Sequence, residues 1–143
     1  MQKASSPQSR VFKLPIRVYY EDTDAGGVVY YASYLRFAER AKTEMIRVAT
    51  SREGALWTEN DPLFVVRHLE VDYKAPARLD DSLTVTTQIL KIGGASLDLL
   101  QNVMRGEDVL VAIKLTLVCT THDGKVLRLP PDWRQTFARL VIA

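Results

Sequence analysis

The 143-residue sequence has one cysteine, two histidines and no long apolar run. The single Cys119 excludes an internal disulfide and is typical of a reducing compartment. No apolar run approaches the roughly 18 residues that a membrane-spanning helix needs. The polar N-terminus, MQKASSPQSR, lacks the apolar core of a secretory signal. We therefore expect a cytoplasmic protein without a membrane span.

Several functional classes lack their usual signals. The net charge is only +2 and no block of Lys and Arg occurs, which argues against a nucleic-acid partner. The two histidines and Cys119 show no metal-ligand spacing, so we expect no metal site. No G-x-S-x-G element is present, which argues against a nucleophile-elbow hydrolase. With 47% hydrophobic residues, the chain predicts one domain over residues 11–143 after a flexible tail, 1–10.

The first half of the chain predicts one strand and one long helix. Val11 to Tyr20 is β-prone, and a helix begins near Ser33, which is a plausible N-cap. Apolar residues at 34, 37, 38, 41, 45 and 48 follow the spacing of one buried helical face. The residues assigned to the opposite, solvated face are Arg36, Glu39, Arg40, Lys42 and Glu44.

The second half is rich in β-structure after an irregular segment, Ser51 to Pro62. The predicted strands are Leu63–Tyr73, Ser82–Ile92, Ser96–Met104, Val109–Thr121 and a short one at Lys125–Leu129. Alternation at Leu83, Val85, Thr87 and Ile89 indicates one covered face. We therefore predict an α+β fold in which a curved antiparallel β-sheet wraps one long helix. Apolar residues on both faces of Val109–Thr121 suggest that the sheet continues into a partner subunit.

The segment from Tyr19 to Glu44 has the strongest chemical pattern. Glu21, Asp22 and Asp24 precede Gly26-Gly27 and the helix start. A carboxylate beside the free N–H groups of a helix N-terminus suits hydrolysis of an activated acyl group. From the residues alone, Asp24 is more simply explained as an Asx-turn residue before Gly26.

The segment YYEDTDAGGVVYYASYLRFAERAKTEM resembles the acyl-CoA thioesterases of the hotdog fold. The resemblance continues through FVVRHLEVDYKAPARLDD and LVCTTHDGK, and covers about residues 11 to 135. The most similar branches are the 4-hydroxybenzoyl-CoA thioesterases and the Tol-Pal-associated (YbgC-like) acyl-CoA thioesterases. The resemblance implies hydrolysis of an acyl- or aroyl-CoA thioester to a free acid and CoA. It implies no cofactor beyond the CoA of the substrate. It also implies homodimers, often paired into a homotetramer, with interfacial active sites.

The resemblance also assigns roles to residues. Asp24 matches the catalytic carboxylate, as nucleophile or general base, and the backbone N–H of Tyr31 matches the oxyanion donor. Gly26 and Gly27 shape the loop. The Tol-Pal-associated branch usually has His where this chain has Tyr31, whereas the hydroxybenzoyl branch has Tyr. The basic cluster that some relatives use for CoA phosphates is missing from Gly93-Gly94-Ala95, so an acyl carrier protein is a possible partner.

Other candidates are weaker. Glu39 is a second carboxylate, which is more simply explained as a solvated or ion-paired residue. His68 shares a face with Val66 and Glu70 by simple alternation. The remaining candidates for substrate binding are Val66, Arg67, Lys74, Arg78 and Arg128. Two alternative functions remain open: a non-catalytic acyl-CoA or acyl-carrier binding module, and a hotdog hydratase or dehydratase.

Overall fold

The computed structural model describes residues 10–51 and 58–141. The predicted tail therefore lies outside the described residues except for Arg10, as does most of the predicted irregular segment after Ser51. Two α-helices and five strands follow in the order β1 (Phe12–Arg17), α1 (Ser33–Thr50), β2 (Leu63–Tyr73), β3 (Ser82–Ile92), β4 (Ser96–Arg105), β5 (Asp108–Thr120) and α2 (Pro131–Ala138), with one turn of 3-10 helix at Tyr20–Asp22.

The strands form one antiparallel sheet in the order β1-β3-β4-β5-β2. Its strand register shifts at three places: between Val66 and His68, between Ile89 and Lys91, and between Val103 and Met104. Such shifts bend a strand and increase its twist. The predicted α+β architecture, a curved antiparallel sheet with one long helix, is confirmed.

The inner face of the sheet covers the core as the alternation predicts. Leu83, Val85, Thr87 and Ile89 are all buried. Helix α1 packs mainly on β3 and β1, and it buries Tyr34, Phe37, Ala38, Ala41, Met45 and Ile46. Because the helix sits over that half of the sheet, a groove remains between α1 and the edge strand β2.

Two helix assignments from the periodicity are wrong. Val48 is 65% exposed, and Ile46 is buried instead. The last turn of α1 lies beside α2, so the buried face there turns toward Ile46 and Thr50. Lys42 is buried rather than solvated, because it lies beside the small Ala38 and forms an ion pair with Glu39.

The C-terminal segment also differs from the prediction. Residues 125–129 do not form a strand; only a single bridge joins Val126 to Thr120. The chain instead enters α2 at Pro131, where a missing N–H costs nothing because the first turn of a helix leaves that donor unpaired. Trp133 and Phe137 pack with Phe64, at ring-centroid distances of 5.5 and 5.7 Å. These aromatic contacts close one end of the core.

Strand β2 is an edge strand that exposes large apolar side chains. Val65, Val66, Leu69 and Tyr73 are each between 39% and 48% exposed. Among the described helices, none is long and apolar enough to cross a bilayer.

Candidate active site

The loop that carries Asp24 is shaped by its own carboxylates. Asp22 is buried and accepts the Tyr19 N–H at 2.8 Å, which fixes the turn before the loop. The Oδ1 of Asp24 accepts the Gly26 N–H at 2.8 Å and the Val28 N–H at 3.4 Å. The expected Asx turn therefore exists. Its Oδ2 has no hydrogen-bond partner in the described part of the chain, and the side chain is exposed.

The two glycines serve this loop in different ways. Gly27 has φ = +81°, a left-handed conformation that glycine adopts without strain. Gly26 has no such φ, but a Cβ at this position would lie 3.3 Å from Asp24 Oδ1. A side chain at Gly26 would therefore crowd the carboxylate.

Backbone hydrogen bonds anchor the loop to the segment before β3. The Val29 N–H donates to the Ala77 carbonyl at 2.9 Å, and the Leu79 N–H donates to the Gly27 carbonyl at 3.2 Å. A bridge between Val28 and Arg78 brings the predicted binding residue Arg78 beside the Asp24 loop. Arg78 itself is exposed.

A carboxylate supports this anchor from behind. Asp81 Oδ2 accepts the Arg78 N–H at 2.9 Å and a guanidinium N–H of Arg105 at 2.8 Å. The Arg78 N–H, followed by the Arg105 guanidinium, holds the pKa of Asp81 below its usual value. The ion pair therefore fixes the end of the segment against which the Asp24 loop lies.

The start of α1 leaves backbone donors free. Ser33 is the first helical residue rather than the N-cap, and its N–H donates to the Tyr30 carbonyl at 2.8 Å. The N-cap is Ala32, whose side chain cannot cap the helix. Within residues 10–51 and 58–141, the N–H groups of Tyr31 and Ala32 have no hydrogen-bond partner. Free N–H groups at a helix start favour negative charge.

The helix start is tied back to the acidic segment. The Tyr30 N–H donates to the Asp22 carbonyl at 2.9 Å, and Thr23 bridges Val29. Asp24 and Tyr31 thus belong to one short antiparallel loop. The structure therefore brings the predicted carboxylate and the predicted donor onto the same supported element.

A cavity of about 310 Å³ lies at Tyr31. We call it the Tyr31 cavity, and it is lined by Val29, Tyr31, Tyr34, Tyr73, Lys74, Ala75 and Pro76. Tyr73 donates its hydroxyl to the Tyr31 carbonyl at 2.9 Å, and the Ala77 N–H donates to the Tyr34 hydroxyl at 2.9 Å. Burial raises the pKa of both Tyr34 and Tyr73, so these phenols stay neutral.

A second cavity, of about 190 Å³, lies further along the same helix and is named here the Gln101 cavity. Its lining consists of Leu35, Ala38, Glu39, Lys42, Val66, Leu69, Gln101, Ile113 and Leu115. Glu39 Oε1 lies 2.7 Å from Lys42 Nζ, so Glu39 is ion-paired as well as exposed. The predicted binding residue Val66 belongs to this cavity.

A β-bulge corrects the predicted faces of β2. Val66 pairs with Leu117 and His68 pairs with Thr116, so Arg67 is the extra residue. The bulge moves Val66 onto the inner face with Leu69 and leaves His68 on the outer face with Glu70. His68 Nε2 lies 3.3 Å from Glu70 Oε2, and both side chains are exposed. Neither Arg67 nor His68 lines either cavity.

The remaining predicted cations lie at two ends of the sheet. Lys74 lines the Tyr31 cavity and lies 3.8 Å from Asp72. Arg128 lies over the β3–β4 turn, where its guanidinium would contact a Cβ on Gly94 at 3.3 Å. Arg134 donates to the Gly93 and Gly94 carbonyls at 2.9 and 3.0 Å. Two arginines therefore reach a turn whose own sequence is not basic.

The other reactive groups do not cluster. His122 Nε2 contacts the Asp61 carbonyl at 2.8 Å, and Cys119 is buried, which raises the pKa of its thiol. Over the described ranges, no three His, Cys, Asp or Glu side chains are grouped to hold a metal ion.

Gln101, Tyr34 and Tyr73 line the two cavities, but they are not among the site residues that the sequence pattern indicates. Gln101 had a readable signal, because it occupies an inward position of β4 between Leu99 and Val103. Tyr73 had a weaker one, as the last residue of a strand next to Lys74.

Comparison with known proteins decides the class. The family model of the thioesterase superfamily matches residues 26–112. This chain belongs to the thioesterase superfamily. The acyl-CoA thioester hydrolase YbgC of Escherichia coli O6:H1 is 49% identical over 110 residues, which are 76% of this chain and 81% of that protein. The acyl-CoA thioesterase YbgC of Haemophilus influenzae is 44% identical over 130 residues, which are 90% of this chain and 96% of that one.

The fold of this chain is also similar to that of a solved thioesterase structure. The probable thioesterase from Bartonella henselae is 38% identical, with a TM-score of 0.78 over 84% of this chain and 99% of that chain. The predicted hotdog fold, YbgC-like resemblance and thioester hydrolase class are confirmed. The family match begins two residues after Asp24, so it supports the fold and the class but does not include that carboxylate.

Proposed function

We propose that this thioesterase hydrolyses acyl-CoA thioesters to a free acid and CoA. The names of its relatives from Escherichia coli and Haemophilus influenzae support that substrate class. The observation that carries the proposal is the single loop that holds an oriented carboxylate, Asp24, and the unpaired N–H of Tyr31.

In the proposed reaction, the thioester carbonyl oxygen accepts the Tyr31 N–H. Negative charge that develops on this oxygen is favoured by the helix start. Asp24 Oδ2 either attacks the carbonyl carbon or removes a proton from the attacking water. The carbon–sulfur bond breaks and CoA leaves as the thiolate, which takes a proton from Asp24 in the general-base route and from solvent in the nucleophilic route. In the nucleophilic route, water then hydrolyses an acyl-Asp24 anhydride.

The remaining site residues have supporting roles in this proposal. Gly26 leaves room for the Asp24 carboxylate, and Gly27 provides the turn. Lys74 and Arg78 are exposed cations beside the Tyr31 cavity and the Asp24 loop, and both suit CoA phosphates. Glu39 is the second candidate for the catalytic carboxylate. Its ion pair with Lys42 explains its position without a catalytic role.

We also propose that two copies pair through β2, so that each site lies at a subunit interface. The exposed apolar side chains of this edge strand support a continuous sheet across two copies. Such pairing would bring Arg67 and His68, as well as Arg128 of the β3–β4 end, closer to the partner's site. A homotetramer would be a pair of these dimers. We expect this assembly to act in the cytoplasm.

A thiol-release assay tests the substrate class. The panel contains aryl-, short-chain and long-chain acyl-CoAs, together with an acyl carrier protein thioester. Thiol release from at least one CoA thioester is expected. Release from the carrier thioester alone would reassign the substrate, and binding without release would favour an acyl-binding module. Rapid quench with mass spectrometry of the Asp24 peptide separates the two routes, because only the nucleophilic route adds the acyl mass.

A further inference from the structure

Gln101 is held in one orientation at the floor of the Gln101 cavity. Its side chain is 1% exposed, and its Nε2 donates to the Ala38 carbonyl at 2.8 Å and to Thr87 Oγ1 at 3.0 Å. A carbonyl can only accept, so the amide nitrogen must face Ala38. The Oε1 then has no partner among the residues that the structure describes. An unpaired buried acceptor lowers the stability of the fold, so a hydrogen-bond donor at this oxygen would be stabilising.

Lys42 provides the complementary group in the same cavity. Its side chain is 6% exposed, and Glu39 Oε1 lies 2.7 Å from its Nζ. An ammonium group has three donors, and the described residues give this one no second partner. The cavity thus contains a free acceptor at Gln101 and free donors at Lys42. The other lining side chains are apolar, apart from Glu39 itself.

The size and position of the cavity suit the end of an acyl group. An apolar cavity of about 150 Å³ binds benzene, and the Gln101 cavity has about 190 Å³. Leu35 and Ala38 follow Tyr31 by four and seven residues, or roughly 6 and 10 Å along the helix. Leu69 lines this cavity and Tyr73 lines the Tyr31 cavity, and both lie on the inner face of β2. An acyl group that runs along α1 from the Tyr31 N–H to the Gln101 cavity would span roughly 6–10 Å.

We propose that Gln101 selects acyl groups that carry a hydroxyl at the end that fills the Gln101 cavity. A hydroxyl donates to Gln101 Oε1 and accepts from Lys42, so it satisfies both free groups at once. An acyl group of the same size without a hydroxyl leaves both groups desolvated and unpaired. This selection rests on the proposed function, because it presumes that the thioester carbonyl binds at Tyr31.

The test compares thioesters that differ only by hydroxyl and methyl. One pair is 4-hydroxybenzoyl-CoA and 4-methylbenzoyl-CoA, and the other is 6-hydroxyhexanoyl-CoA and heptanoyl-CoA, so that hydroxyl and methyl stand at the far end of each acyl group. We expect the hydroxylated member of at least one pair to have a kcat/KM about tenfold higher or more. The pair that responds identifies a ring or an aliphatic chain. Ratios near one in both pairs would overturn the selection while leaving thioester hydrolysis intact.

Two variants connect the effect to the side chain. Gln101→Met preserves the bulk of the side chain but removes the amide oxygen, so the ratio should fall to about one. Thr87→Val is the matched control, because Thr87 contacts the Gln101 nitrogen but does not line the cavity. It should keep the wild-type ratio. A wild-type ratio that survives in Gln101→Met would contradict the role of Gln101.

Two further measurements test the proposal if Gln101→Met does not fold or if no thiol is released. If Gln101→Met does not fold, Lys42→Met tests the other partner and should lower the ratio. If no thiol is released, the same ratio is read from dissociation constants by titration calorimetry. Equal dissociation constants would then overturn the selection independently of the proposed hydrolysis.

Discussion

The two oxygens of the Asp24 carboxylate lie in different surroundings. Oδ1 accepts two backbone N–H groups, from Gly26 and Val28, which orient the side chain. Oδ2 has no partner in the described ranges and is the oxygen that the proposed reaction uses. The Asx turn and the catalytic role, which the sequence presents as alternatives, are therefore compatible in one residue. The Asx turn uses only Oδ1 of the carboxylate, so Oδ2 lies outside the hydrogen bonds of the turn.

Asp81 gives a residue-scale prediction for stability against pH. Its folded pKa lies below the ordinary value of 3.8, so its hydrogen bonds stabilise the fold above about pH 4. That contribution is lost as the pH falls through the lowered folded pKa. Urea unfolding of the wild type and Asp81→Asn should show a difference that is constant near neutral pH and shrinks below about pH 4.

The control for this prediction is Asp108→Asn, at an exposed position. Its difference from the wild type should stay small over the same pH range. An Asp81→Asn difference that persists unchanged down to pH 2 would show that the charge of Asp81 does not contribute to the stability.

At the scale of elements, α2 closes the core at the end distant from the Asp24 loop. Phe137 is fully buried and packs on Phe64 and Trp133. Truncation of such a side chain typically costs about 3–5 kcal/mol. We expect Phe137→Ala to lower the free energy of unfolding by this amount in denaturant titration.

A matched substitution on the same helix is Gln135→Ala, which removes an exposed side chain. It should change the free energy of unfolding by less than about 0.5 kcal/mol. Equal effects of the two substitutions would show that α2 does not pack on the core.

The elements also show what alternation and periodicity can reveal. The strands from Leu63 to Thr120 begin and end within one residue of their predicted bounds, because regular alternation between turn residues marks them well. The bulge at Arg67 leaves no trace in composition, so the face of Val66 could not be predicted. Helix α2 is not among the predicted elements, because Pro130-Pro131 indicates the end of a strand as readily as it does a helix start, although proline is favoured at the first helical position.

The residues of the candidate site also differ in how well the sequence predicts them. The Asp24 loop was predictable because its residue types are distinctive and adjacent in the chain. Gln101 and Lys42 were not, because their roles arise from burial among residues of four different elements. Lys42 in particular is buried at a position that periodicity assigns to solvent, beside the small Ala38 and the residues of the Gln101 cavity.

At the scale of the whole molecule, the apolar edge of β2 is expected to hold two copies together. Val65 lies on the outer face of this strand and is 45% exposed, and it lines neither cavity. Lysine on a strand edge opposes pairing with another strand. Val65→Lys should therefore shift the protein toward monomer in light scattering coupled to size exclusion.

Val126→Lys is the control for this substitution, since Val126 is 71% exposed and lies after β5. It should leave the oligomeric state unchanged. A wild-type protein that is monomeric at micromolar concentration would contradict an active site at a subunit interface.

The central claim is that Asp24 carries out the chemistry with the help of the Tyr31 N–H. Its most direct test is thiol release by Asp24→Asn beside Glu39→Gln, on the best substrate of the wild type. A positioned base or nucleophile contributes about 10²–10⁴-fold, so Asp24→Asn should lose at least about a hundredfold in kcat while Glu39→Gln stays near the wild type. Wild-type activity in Asp24→Asn, with loss in Glu39→Gln, would contradict the claim and move the chemistry to the helix.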